Sequence, residues 1–141
     1  MEQASVKKDE IRRALDVVMA TSIVPVVLGV ALIYAIFCVA HLLVLPPGRA
    51  EIMASLAGGS ALVCGVMYWA MLRWELPPRL AHPSGFVVAL IMLGNTLTHL
   101  YLEGDPLETT NLLLVILGVS CVFLSPAWAG AVGGLAVGAG R

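Results

Sequence analysis

With 141 residues, 60% of them hydrophobic and 12% charged, the chain departs from a soluble domain, which is roughly half apolar and a quarter charged. Apolar runs of twenty or more residues recur with almost no polar face, which excludes a water-soluble helical bundle and marks membrane-spanning helices. A net charge of -1 argues against nucleic acid as a partner, because phosphate backbones call for a basic surface.

Residues 1–20 carry Lys7, Lys8, Asp9, Glu10, Arg12, Arg13 and Asp16 with Val6, Ile11, Leu15 and Val18 interleaved. This pattern predicts a short amphipathic helix at the membrane surface that runs into the first span. The apolar run that follows is far longer than the core of a signal peptide, so it reads as an uncleaved anchor. The first span is placed at 22–45, with Pro25 in its first turns, and Pro46-Pro47-Gly48 ends it. The second is placed at 52–72; Ser55, Gly58, Gly59, Ser60 and Gly65 along it are small residues of the kind that let membrane helices approach closely. Trp69, Arg73 and Trp74 mark an interface. The segment RWELPPRLAHP is expected to be a non-helical loop because of Pro77, Pro78 and Pro83, and His82 within it to be simply solvated.

The third span is placed at 84–102 and the fourth at 111–125. Beyond Ser125-Pro126 the chain stays apolar to Gly140. It continues there as one helix kinked at Pro126, or it turns into an incomplete fifth segment over 127–140. That segment is about 21 Å long at 1.5 Å per residue, too short for a hydrocarbon core of about 30 Å. Gly130, Gly134 and Gly138 repeat every four residues, a pattern that wants a partner helix, and the sequence reads as a piece of a longer protein. The fold expected is thus all-α, a polytopic transmembrane helix bundle over 21–141 preceded by a cytoplasmic helix over 1–20. Lysine and arginine are concentrated before the first span and, more weakly, between the second and third. The positive-inside rule then puts the N-terminus in the cytoplasm and residues 95–111 outside.

Residues 95–111, NTLTHLYLEGDPLETTN, gather polar and acidic side chains in an otherwise apolar chain. Asn95, Thr98, His99 and Leu102 share a helical face, and Glu103 follows His99 by one turn. Thr109, Thr110 and Asn111 are placed to cap the next span, and Asp105-Pro106 to make a turn. Ionisable residues within spans usually face the bundle interior or a wet cavity. Counting along the helices, His41 and His99 lie at the same depth, each roughly 6 Å from the same surface, where Glu51 also begins the second span. The sequence therefore groups His41, Glu51, Asn95, His99, Glu103, Asp105 and Asn111 as a polar pocket at the outer mouth of the bundle, with Thr109 and Thr110 as further signal-sensing candidates beside it. Each has a structural alternative as a cap, a turn or an interface residue.

The same histidine pair suggests haem ligation, zinc binding with Glu103 or Asp105, or proton sensing; no cofactor or metal is expected on balance. Cys38, Cys64 and Cys121 fall in three different apolar runs and read as small buried hydrophobes. No nucleophile–base constellation is visible, so catalysis by this chain is not expected.

The run Asn95-Thr96-Leu97-Thr98-His99, then Gly104-Asp105-Pro106, then Thr109-Thr110-Asn111-Leu112 and an apolar stretch ending in Ser125, resembles the N-terminal multi-span sensory region of bacterial membrane-bound diguanylate cyclases with GGDEF domains and of some sensor histidine kinases. The resemblance covers residues 20–125. It implies that His99, Asp105, Thr109, Thr110 and Asn111 are the residues to single out, and that several spans precede a cytoplasmic output domain. Neither a GGDEF motif nor a kinase core lies within these residues, so the chain would carry the input function only. The expectation is a multi-pass sensory or anchoring module of a bacterial inner membrane, a homodimer coupled to an output domain. The alternative is a small membrane subunit of a redox or transport complex using His41 and His99.

Overall fold

The computed structural model describes residues 2–103 and residue 138. Its elements are three helices: α1 Glu2–Val44, α2 Arg49–Trp74 and α3 Pro78–Glu103. Over Arg13–Val44, Arg49–Trp74 and Pro78–Leu102 they are long and apolar enough to cross a membrane. Even the shortest rises about 38 Å, against a hydrocarbon core of about 30 Å. The expected spans at 111–125 and 127–140 lie outside the described residues.

Prolines set the breaks between the helices. Pro46 and Pro47 have no N–H to offer, and a residue before proline is pushed out of the helical region. Leu45 N still donates to His41 O at 3.1 Å, and beyond it the chain turns through Gly48 at φ 89°, where a side chain would be strained. α2 stops at Glu75, which takes φ 45° and ψ 98°, and Pro77 keeps Leu76 out of the helical region.

The expected loop 73–83 is a correction. Pro78 opens α3 and Pro83 lies inside it. Proline is preorganised for the first helical position, and Pro83 forfeits only the bond to the Arg79 carbonyl. Pro25 is a second correction. It lies in the interior of α1, since the helix begins at Glu2 and the amphipathic stretch joins the first span without a break. The carbonyl of Thr21 loses its helical donor there, a loss that membrane helices tolerate.

Short connections make consecutive helices antiparallel neighbours. α1 packs against both others, while α2 and α3 meet along a thinner seam. The buried stripe of α1 runs Met19, Ile23, Val27, Val30 and Tyr34. Against it α2 sets Ala57, Cys64 and Met71, and α3 sets Ala81 and Val88. A spacing of seven keeps those positions of α2 and α3 on one side of each helix, toward a partner. The seam of α2 is mostly small, so it sits close to α1: a Cβ added at Gly58 would lie 3.2 Å from Cys38 Sγ. The opposite faces expose Leu32, Ile36, Leu43, Leu62, Val66 and Trp69. That arrangement suits lipid and would drive aggregation in water.

Candidate functional site

Two polar junctions interrupt the apolar core, one near each end of the bundle. The first is built on the last turns of α1 and α3. On α1, Tyr34, Phe37 and His41 follow one another at helical spacing. Tyr34 meets Phe37 edge-on with centroids 6.1 Å apart, and Phe37 lies 6.0 Å from His41. The His41 ring then meets His99 of α3 at 5.0 Å, with the planes inclined by 51°. Four rings thus run from the middle of α1 across to α3. The Nδ1 atoms of both imidazoles are buried, and that of His41 has no hydrogen-bond partner.

Asn95, one turn of α3 deeper than His99, is 6% exposed. Its Nδ2 donates to Ser60 Oγ on α2 at 2.8 Å and to Ile91 O at 2.9 Å, while the Ser60 hydroxyl donates to Leu56 O at 2.8 Å. This chain of bonds satisfies the buried amide and ties α2 to α3 where their packing is thin. Thr96 and Thr98 turn their hydroxyls back onto Met92 O and Gly94 O. They meet their hydrogen-bonding needs within α3.

The second junction lies at the opposite end. His82 Nε2 of α3 stands 3.3 Å from Asp16 Oδ1 of α1. His82 is 8% exposed, so the expectation of a solvated loop histidine is corrected. Pro83 would break a helix in its interior, but this close to the start of α3 it does not, and its neighbour His82 stays helical. The available signal was register: Asp16 precedes Met19 by three on the buried stripe of α1, and His82 precedes Ala89 by seven on α3. Between α2 and α3, beside this end, an apolar cavity of about 240 Å³ is lined by Met67, Met71, Trp74, Leu76 and Leu80, with Ser84 at its edge. It lacks the converging polar groups that orient a specific ligand.

The matched-depth histidines do meet. Asn95 instead turns to Ser60, and Glu51 is exposed on the first turn of α2. Glu103 ends α3, though its side chain is not among those described; Asp105, Thr109, Thr110 and Asn111 lie outside the described residues. Sequence reasoning missed Ser60 as a bonding partner, having read it only as a small packing residue.

The geometry weighs on what the histidine pair can hold. Axial imidazoles on opposite faces of a haem keep their ring centres about 6 Å apart, from metal–nitrogen bonds of about 2 Å. The observed 5.0 Å leaves no slot for a macrocycle between them without parting the helices. Among the described residues no group of three or more His, Cys, Asp or Glu is placed to hold a metal ion. No protein-family model matches the chain, and no curated protein or solved structure matches it either.

Proposed function

We propose that the chain is the membrane-embedded input module of a bacterial signalling protein, of the kind that precedes a diguanylate cyclase or histidine kinase output domain. Its signal is read at the outer ends of α1 and α3. The observation that supports this is the meeting of His41 and His99 at 5.0 Å. Two ionisable side chains on separate helices, near one end of an apolar bundle, are costly to place there and for that reason mark a functional site. A proton, an ion or a ligand held there changes the attraction between α1 and α3. α1 then carries the change along an unbroken helix to its charged N-terminal turns. Such a switch operates only when the signal binds two packings with different affinity.

The test is a fusion in which a diguanylate cyclase domain follows Ser125, expressed in bacteria and read as intracellular cyclic dinucleotide. His99→Ala and His41→Ala are each expected to change the output by about fivefold or more, a typical coupling, while membrane insertion stays normal. Output equal to wild type in both variants would remove the sensing role. A Soret band in the purified protein would instead support the redox-subunit alternative.

A further inference from the structure

We infer that His41 and His99 form the protein part of a binding site for a divalent transition-metal ion of the zinc class, which deepens and rests on the proposed input role by naming its signal. Two imidazoles on adjacent corners of a tetrahedral ion hold their ring centres about 5 Å apart, given metal–nitrogen bonds of about 2 Å. The pair stands at 5.0 Å with its planes inclined by 51°. His41 Nδ1 is buried without a hydrogen-bond partner, and such an atom in a native core calls for a water or an ion. Neutral imidazole selects zinc, copper or nickel, whereas magnesium and calcium prefer oxygen donors.

Two protein ligands leave the remaining positions to water, so the ion exchanges readily with its surroundings, as a sensed ion must. The ligands come from α1 and α3, so binding clamps those two helices together at one end. The Asp16–His82 pair is a poorer candidate, because its imidazole already faces a carboxylate at 3.3 Å.

The experiment is equilibrium dialysis of zinc against the purified chain in lipid nanodiscs, for wild type, His41→Gln, His99→Gln and His82→Ala. Helix content is measured for each. One zinc per chain is expected for wild type and for His82→Ala, with affinity at least about tenfold lower in the two glutamine variants. Loss of an outer-shell partner already costs that much, and loss of a ligand costs no less. A second measurement needs no variant: bound zinc is expected to protect His41 and His99 of the wild type from diethyl pyrocarbonate. Absence of zinc binding, glutamine variants with wild-type affinity, or unchanged modification of both histidines would each overturn the site. Zinc bound without effect on the fusion's output leaves the site and removes the signalling role. Output that depends on His99 without zinc binding does the reverse.

Discussion

At Asn95 a single side-chain amide serves two purposes. It closes a bond within its own helix and reaches Ser60 on α2. Bonds between membrane helices are worth about 1 kcal/mol, since the unfolded chain in lipid also finds partners. Asn95→Ala should therefore lower stability by about 1 kcal/mol, read as a shift in unfolding by steric trapping in bilayers. Ser60 keeps its bond to Leu56 O, so no orphaned hydroxyl inflates the loss. A stability equal to wild type would mean that the α2–α3 seam is held by packing alone. The sequence could be read well for depth and poorly for rotation about the helix axis. Residue counts from the ends of their spans set His41 and His99 at one depth. Whether Asn95 turns toward His99 or toward Ser60 depends on how α3 is rotated against its neighbours, which single-sequence spacing does not record.

The helices themselves follow from apolar length, and their ends from proline chemistry. Pro46-Pro47-Gly48 stops α1 as expected. At the other connection proline acts both ways, because Pro77 follows the end of α2 while Pro78 opens α3. Glu75 bears the cost of that tight connection. It holds a positive φ of 45°, a conformation that costs a side-chain-bearing residue about 1–2 kcal/mol and costs glycine little. Glu75→Gly should raise stability by about 1 kcal/mol. The same unfolding assay checks this, and a decrease would show that the Glu75 side chain makes a contact that outweighs the strain.

Among the described residues, three helices, each antiparallel to the next, put the 46–48 turn at one end of the bundle and the 75–77 turn at the other. The positive-inside rule assigns the first to the outside and the second to the cytoplasm. In a chain with serine at Cys38, Cys64 and Cys121, Pro47→Cys should react with an impermeant maleimide on intact cells. Pro77→Cys should react only after permeabilisation; the opposite pattern would invert the orientation and place the histidine pair inside. All-α architecture and membrane-spanning length were legible because composition and run length state them directly. The Asp16–His82 junction was not, because it joins residues from two helices that share no sequence neighbourhood.

The two junctions together have a mechanical consequence. Asp16 and His41 are 25 residues apart on α1, whereas their partners His82 and His99 are 17 apart on α3. Along straight helices those intervals measure about 38 Å and about 26 Å. The two junctions thus mark off stretches of unequal length, with Pro25 on the longer one. Were the His41–His99 contact to part, the Asp16–His82 pair would still hold the opposite end of α3 to α1.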